Sequence, residues 1–245
     1  MSNKKIIISL FVLLLLLHLI IKHNQIIRNY IIIKITKYSN NILKKESLVG
    51  NNTFYNPNII PESLILTKNW KIIRDEVLIH YKNFKTITND LFFENLVKKE
   101  SDWNKLYIKF YSDEIDPLAK KLCPKTCQII ETIPNLKLAF ISVLAPNAKI
   151  IPHRGIYKGV LRFHLGLYTP NSKNCFISVN DQIYSWKDGE GIIFDDTFEH
   201  YVENNTNQPR IILFCDFNRP LTKKGKIINS FVVSNFNKFV SRTNG

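Results

Sequence analysis

Two histidines, His153 and His200, stand at the edges of apolar runs rather than inside them. His153 follows Pro152 in a polar turn, and His200 follows the acidic segment Asp195–Glu199 just before a strand-like run. A single histidine in either place is ordinarily a core or surface residue. Two neutral imidazoles from separate segments, however, suit a divalent transition ion, and open positions on that ion leave room for chemistry. The sequence therefore predicts a metal site at His153 and His200.

Three further polar groups are expected to face the same cavity. Arg210 enters the apolar run Ile211–Phe217, where a permanent charge is costly unless it is paired. A guanidinium buried there is suited to hold the remote carboxylate of a dicarboxylic acid. Arg162 and His164 alternate with apolar residues, so both lie on one face of a strand. The alternative for Arg162 is a surface position on an edge strand.

The elements that position these residues have the pattern of strands. Short apolar or alternating segments are separated by Pro, Gly, Asn or Asp turns, and Asn180-Asp181 links two of them as a tight hairpin. Strands are expected at Leu138–Leu144, Gly159–Leu167, Cys175–Val179, Gln182–Trp186, Gly191–Phe194 and Ile211–Phe217. This spacing predicts an antiparallel barrel or jelly roll with a ligand site at its mouth.

The segment before the strands has a helical period. Glu62–Phe84 and Pro117–Thr132 are expected to be helices, and Trp103–Tyr111 alternates like a strand. The expected fold class is therefore mainly β with flanking helices (α+β), with a helical part at 59–135 and a strand core at 136–221. Residues 222–245 are expected to form an amphipathic tail that packs on the barrel or contacts a membrane.

The N-terminus carries the apolar run Ile6–Ile21, broken only by Ser9 and His18. Its 16 residues are fewer than the roughly 20 needed to cross a bilayer, so a cleaved signal peptide and a buried helix stay open as alternatives. The absence of a small-residue cleavage site favours an uncleaved single-pass anchor within residues 1–36. Basic residues after the run favour a cytoplasmic body. Residues 37–58 are expected to be a linker.

The charge balance, 34 Lys+Arg against 20 Asp+Glu, raises the question of a nucleic-acid partner. The lysines are scattered and no nucleic-acid-binding motif is present, so that class is rejected in favour of a solvated basic surface or contact with anionic lipid. The four cysteines are too few for a disulfide scaffold and are expected to be buried thiols. Cys123 and Cys127 lack a second ligand pair nearby, which disfavours a zinc site.

Several of these segments resemble one known family. The residues 162–167, the run from Phe194 to His200 and a broader likeness over 54–221 are similar to the aspartyl/asparaginyl β-hydroxylase family of Fe(II)/2-oxoglutarate-dependent oxygenases. The likeness is closest to the lipid A 2-hydroxylase branch. The broader likeness includes Trp70–Glu76, Leu122–Thr126, Tyr184–Gly189 and Arg210–Pro220.

The resemblance implies a double-stranded β-helix (jelly roll, cupin-like) and a set of site residues. His153 and His200 would bind Fe(II), and Arg210 with the help of Ser142 would hold the far carboxylate of 2-oxoglutarate. Arg162 and His164 would contact this cosubstrate near the metal. The implied reaction uses O2, converts 2-oxoglutarate to succinate and hydroxylates an unactivated carbon.

One position departs from the wider superfamily. Gly155 stands where most members place the carboxylate that completes a facial triad. Proteins resembling the eukaryotic aspartyl/asparaginyl hydroxylases share this glycine, and Asp195 or Asp196 is expected to hydrogen-bond a water in the gap. Two classes stay open. One is a membrane-anchored hydroxylase of a lipid acyl chain or a protein Asp/Asn side chain, and the other is a barrel that binds a ligand without turnover.

Overall fold

The computed structural model describes residues 25–84 and 95–239. Its centre is a pair of facing sheets. The larger sheet has the strand order β1-β8-β5-β10-β3-β2 and the smaller sheet the order β4-β9-β6-β7. The strands are β1 Phe54–Tyr55, β2 Trp103–Phe110, β3 Leu136–Leu144, β4 Lys149–His153, β5 Val160–Tyr168, β6 Cys175–Val179, β7 Gln182–Ser185, β8 Gly191–Phe194, β9 His200–Asn204 and β10 Arg210–Asn218.

The last eight strands pair as one long antiparallel hairpin. β6 pairs with β7, β5 with β8, β4 with β9, and β3 with β10. Because successive pairs alternate between the two sheets, the hairpin winds around a common axis. This is the double-stranded β-helix, or jelly roll, and it confirms the expected fold class.

The central strands of the larger sheet are buried on both faces. Along β5 and β10, alternate side chains enter either the barrel interior or a second core beneath the helices. Phe214 and Phe194 belong to the interior, while Phe163 and Leu213 belong to the helix-covered side. β10 therefore reads as a nearly continuous apolar run, whereas the barrel-facing positions of β5 include Arg162 and His164.

The expected helices are present, but each is divided in two. α2 (Ser63–Lys68) and α3 (Trp70–His80) meet at Asn69, whose side chain donates to Ile65 O at 2.8 Å. α4 (Pro117–Leu122) and α5 (Pro124–Glu131) meet at Cys123, because Pro124 restricts the residue before it. The predicted helices ignored these two local breaks.

The N-terminal region differs from the expected linker. α1 (Gln25–Lys45) extends into the expected linker segment 37–58, and its Leu43 is fully buried. The C-terminal tail forms α6 (Lys223–Phe239), which packs beside α1. The apolar run Ile6–Ile21 lies outside the described residues. Among the helices within 25–84 and 95–239, none is both long and apolar enough to cross a bilayer.

The N-terminus of α5 is capped from another helix. Glu76 of α3 accepts hydrogen bonds from Lys125 N at 2.9 Å, Thr126 N at 2.8 Å and the Thr126 hydroxyl at 2.7 Å. A carboxylate in this position satisfies free backbone N–H groups and interacts favourably with the helix dipole. It also joins the two halves of the helical layer.

Replacing Glu76 by Gln is expected to lower the free energy of unfolding by about 1–2 kcal/mol, the size of a lost helix cap. The measurement is urea unfolding followed by circular dichroism. Asp75→Asn is the matched control on the same helix, since Asp75 is exposed and its ion pair is with the neighbouring Arg74. Equal changes in the free energy of unfolding would show that the Glu76 cap adds no stability.

Candidate metal centre and anion-binding cavity

His153 and His200 lie opposite each other in the smaller sheet. They are register partners at the end of β4 and the start of β9, and their ring centres are 4.1 Å apart. Nδ1 of His153 lies 2.8 Å from Ile151 O, and Nδ1 of His200 lies 2.9 Å from Phe198 O. An N–H at Nδ1 can donate to these carbonyls, which leaves each Nε2 with a lone pair for a metal.

Burial favours the neutral form of both rings. It lowers the pKa of His153, and it lowers the pKa of His200 to about 3, with His153 adding to the effect. A neutral imidazole is the form that binds a metal. In the part of the chain that the structure describes, no group of three or more His, Cys, Asp or Glu side chains could hold an ion.

Gly155 is packed against the carboxylate of Asp196. A β-carbon built on Gly155 would lie 2.0 Å from Oδ2 of Asp196, and Gly155 N donates to Asp196 O at 2.7 Å. Any side chain at position 155 would therefore displace Asp196. The space that a carboxylate at position 155 would need is already taken by a carboxylate from the loop before His200.

Arg162 holds Asp196 in this position. Its Nη1 lies 2.8 Å from Asp196 Oδ2, while Nε and Nη2 bind the two oxygens of Asp216 at 3.0 and 3.3 Å. Tyr111 donates to Asp216 Oδ2 at 2.8 Å. Burial raises the pKa of Asp196 to about 6, with the Arg162 charge opposing the rise. Because β5 lies between β8 and β10, the alternative of a surface Arg162 on an edge strand is wrong.

Arg210 is buried without a carboxylate partner among the described residues. Its Nη2 donates to Ser142 Oγ at 2.9 Å, and Trp103 Nε1 donates to the same oxygen at 2.8 Å. Its Nε has no hydrogen-bond partner, and its guanidinium carbon lies 4.7 Å from the centre of the Trp186 ring. Burial lowers the pKa of Arg210 to about 10, so the group is still charged at neutral pH. Such a cation is completed by an anion.

His164 is a second buried donor with free capacity. Neither of its ring nitrogens has a hydrogen-bond partner in the structure. The ring lies between Phe194 and Phe214, with ring centres 4.9 and 4.8 Å away. Burial, with the Arg210 charge adding to it, moves the pKa of His164 well below its usual value. A neutral His164 can donate one hydrogen bond to a ligand.

All six residues singled out in the sequence line one cavity: Ser142, His153, Arg162, His164, His200 and Arg210. Trp103 and Phe214 also line it, and sequence reasoning did not select them. Asp216 was missed as well, although a carboxylate inside an apolar strand signals a buried partner. A larger cleft of about 710 Å³ lies between α6 and the loops after β2 and β10, and none of the six residues lines it.

The polar groups that line the cavity have the chemistry to bind a metal ion and a dicarboxylate, although the open space between them is only about 20 Å³ in this structure. Two imidazoles present free Nε2 atoms at one end, and a charged guanidinium with an unsatisfied N–H lies at the other. Fold and site define a jelly-roll protein whose barrel contains two facing imidazoles and a buried guanidinium that has no carboxylate partner among the described residues.

Comparison with known proteins agrees with this description. The profile of the Aspartyl/Asparaginyl beta-hydroxylase family matches residues 67–220, which is more than half of the chain. The chain belongs to the aspartyl/asparaginyl β-hydroxylase family. This confirms the resemblance inferred from the sequence.

Two relatives differ in what their names say they modify. The ornithine lipid ester-linked acyl 2-hydroxylase of Rhizobium tropici is 29% identical over 80% of this chain and 70% of its own length. The aspartyl/asparaginyl beta-hydroxylase of Homo sapiens is 32% identical over 63% of this chain, but the match spans only 21% of the human protein. A solved prolyl-4-hydroxylase from Pseudomonas putida aligns with 68% of this chain and 92% of its own, with 12% identity and a TM-score of 0.41. The fold description therefore rests on the strand pairing above.

Replacing Gly155 by Ala is expected to lower the free energy of unfolding by about 1–3 kcal/mol, because the new methyl group overpacks the Asp196 contact. In an Asp196→Ala background the same change should cost much less. The double-mutant cycle, measured by urea unfolding, is expected to give a coupling energy of about 1 kcal/mol or more. Additive effects would show that Gly155 is not required by the Asp196 carboxylate.

Asp195 forms a second buried ionic contact beside this site. It accepts hydrogen bonds from Lys158 Nζ at 2.7 Å, from Thr197 Oγ1 at 2.6 Å and from Arg219 Nη2. Burial alone would raise the pKa of Asp195, but the Arg219 charge and the Lys158 hydrogen bond hold it below its usual value.

Asp195→Asn is expected to destabilise the fold by about 3 kcal/mol or more, because Arg219 and Lys158 are left without their carboxylate. A folded-state pKa below the unfolded value means that this contribution is present at neutral pH and is lost as the pH falls below about 4. Urea unfolding between pH 3 and 7 measures it. Thr197→Val gives a milder change of about 1 kcal/mol if the Asn variant does not fold. Asp113→Asn is the control, because Asp113 is exposed and lies 3.8 Å from Lys109.

Proposed function

We propose that this protein is a membrane-anchored Fe(II)/2-oxoglutarate-dependent hydroxylase that acts on a lipid acyl chain. The observation that carries the proposal is the buried Arg210, which has no carboxylate partner among the described residues and lines the same cavity as the two imidazoles. A structural arginine would be neutralised by the protein itself. The charge of Arg210 is balanced only when an anion binds in the cavity.

Within this proposal, His153 and His200 hold Fe(II) through Nε2. Asp196 lies beside Gly155 and can accept a hydrogen bond from a water in the place of the missing ligand. Arg162 fixes that carboxylate and is itself fixed by Asp216. The protein thus supplies a carboxylate near the metal without using it as a direct ligand.

Arg210 and Ser142 bind the remote carboxylate of 2-oxoglutarate. Trp103 donates to Ser142 Oγ and so turns the hydroxyl proton of Ser142 away from itself, toward the incoming anion. His164 can donate to the end of the cosubstrate near the metal. With iron, 2-oxoglutarate and O2 bound, the site supplies the oxidising chemistry that hydroxylates an unactivated C–H bond, with succinate and CO2 as coproducts.

A lipid substrate is supported by the relative that covers the larger share of this chain, a lipid acyl hydroxylase. The apolar run Ile6–Ile21 supports a single-pass anchor, and basic residues after it support a cytoplasmic body. Two apolar side chains near His153 are also exposed, Ile151 by 47% and Ile156 by 36%. A protein Asp/Asn side chain is the second candidate, supported by the glycine at position 155 and by the human relative.

The test is formation of succinate from 2-oxoglutarate by iron-loaded protein, offered an ornithine lipid, a lipid A precursor, and Asp- and Asn-containing peptides. Succinate stimulated by a lipid is expected, and it should fall about 100-fold or more in His200→Ala. His80→Ala, a histidine on α3 outside the cavity, is the matched control and should keep full activity.

Stimulation by the peptides alone would move the assignment to the protein substrate. Binding of 2-oxoglutarate without any succinate, in a folded protein, would instead support the ligand-binding barrel without turnover.

A further inference from the structure

The pair of helices α1 and α6 is strongly basic. α1 contains five basic residues and α6 contains four, and neither helix contains an Asp or Glu. Together they contribute +9 to the net charge of +14 for the whole chain. Glu46, just after α1, is paired with Lys224 at 3.4 Å. The remaining positive charge is not balanced within the helix pair.

The same helices expose large apolar side chains among the lysines. On α1, Tyr30, Ile33 and Tyr38 are 61%, 51% and 74% exposed, and on α6 Ile227 and Phe231 are each 65% exposed. The lysines on these outward faces are Lys34, Lys37, Lys44, Lys45, Lys223, Lys224 and Lys226. Lysine stems with aromatic and aliphatic neighbours are typical of helices that lie in a membrane interface.

The helix pair is fastened to the loop that follows His153. Asn40 of α1 donates to Ile156 O at 2.9 Å and accepts from Lys158 N at 2.8 Å. From α6, Asn229 accepts from the Tyr157 hydroxyl at 2.6 Å. The loop between His153 and β5 is therefore held by both helices.

We propose that the outward faces of α1 and α6 form a docking surface for an anionic lipid bilayer. The positive charge attracts anionic headgroups, and the exposed Ile and Tyr side chains enter the interface. This docking does not rest on the proposed function. It identifies the bilayer surface, rather than a soluble peptide, as the partner.

The test uses the full chain with a fluorophore on single introduced cysteines. The four native cysteines are all buried, so the dye reacts with the introduced thiol. Tyr38→Cys and Ile227→Cys report on the docking surface. Ile79→Cys on α3 and Ile183→Cys on β7 are matched controls, because they replace apolar side chains that are 73% and 65% exposed on other elements.

The protein is mixed with phosphatidylcholine vesicles, with or without phosphatidylglycerol, that carry a nitroxide lipid at headgroup depth. Quenching at positions 38 and 227 is expected to exceed quenching at 79 and 183 several-fold, and to increase with phosphatidylglycerol. The combined changes Lys34→Gln, Lys37→Gln, Lys223→Gln and Lys226→Gln should remove the increase. Equal quenching at all four positions overturns the proposal. A change in dye fluorescence on adding single-stranded RNA, without quenching by the vesicles, overturns it as well.

This readout requires no metal, 2-oxoglutarate or turnover. Quenching without succinate formation would overturn the proposed function and leave the docking surface standing. Turnover of a dispersed lipid, without stronger quenching at positions 38 and 227, would support the proposed function and overturn the docking surface.

Discussion

Two adjacent buried carboxylates, Asp195 and Asp196, connect the loops and helices that surround the two histidines. Asp195 pairs with Lys158 and Arg219, so it connects the loop before His200 to the loop after His153 and to the segment that leads into α6. Asp196 turns the other way, onto Arg162 and Gly155. A shift of this loop would change the docking of the helices and the geometry of the histidines together.

The charges inside the barrel are divided unequally between its two ends. Near the histidines, Arg162 pairs with two carboxylates, Asp196 and Asp216. With both carboxylates ionised, these three groups carry a net charge of −1, which favours an incoming metal ion. At the far end, the partners of Arg210 among the described residues are neutral. In the proposed function, this difference would give the dicarboxylate one preferred direction in the cavity. It also explains why the barrel can contain two buried arginines that serve different purposes.

The sequence predicts six of the eight jelly-roll strands, because each of these six has a clear apolar period and a turn at each end. It places His153 in a polar turn, whereas the structure has it as the last residue of β4, and it gives no bounds for β9 after His200. It also selects the six polar residues that line the cavity, since a charge or an imidazole within or beside an apolar strand is unusual. Two further kinds of feature could not be predicted from the sequence. The breaks at Asn69 and Cys123 depend on local competition for hydrogen bonds and on the conformation before a proline.

The second kind is long-range pairing. Glu76 caps a helix nearly 50 positions away, and Asp216 reaches Arg162 across neighbouring strands. Neither partner can be read from local spacing, because the choice depends on which strands and helices meet. The role of Gly155 is a similar case: the glycine marks a departure in the sequence, but only the structure places the Asp196 carboxylate against it.

The most direct test of the central claim is anaerobic titration of 2-oxoglutarate into Fe(II)-loaded protein, followed by the visible charge-transfer absorption of the chelated iron. If Arg210 binds the remote carboxylate of 2-oxoglutarate, a saturable band is expected in the wild type. The affinity for 2-oxoglutarate is expected to be about 30-fold weaker or worse in Arg210→Gln, since truncating one partner of a buried charge pair costs about 2 kcal/mol or more. Arg154→Gln, at an exposed pair with Glu199, should bind normally. A wild type without the band, or an Arg210→Gln variant with undiminished affinity for 2-oxoglutarate, would show that this cavity is not the binding site for iron and 2-oxoglutarate.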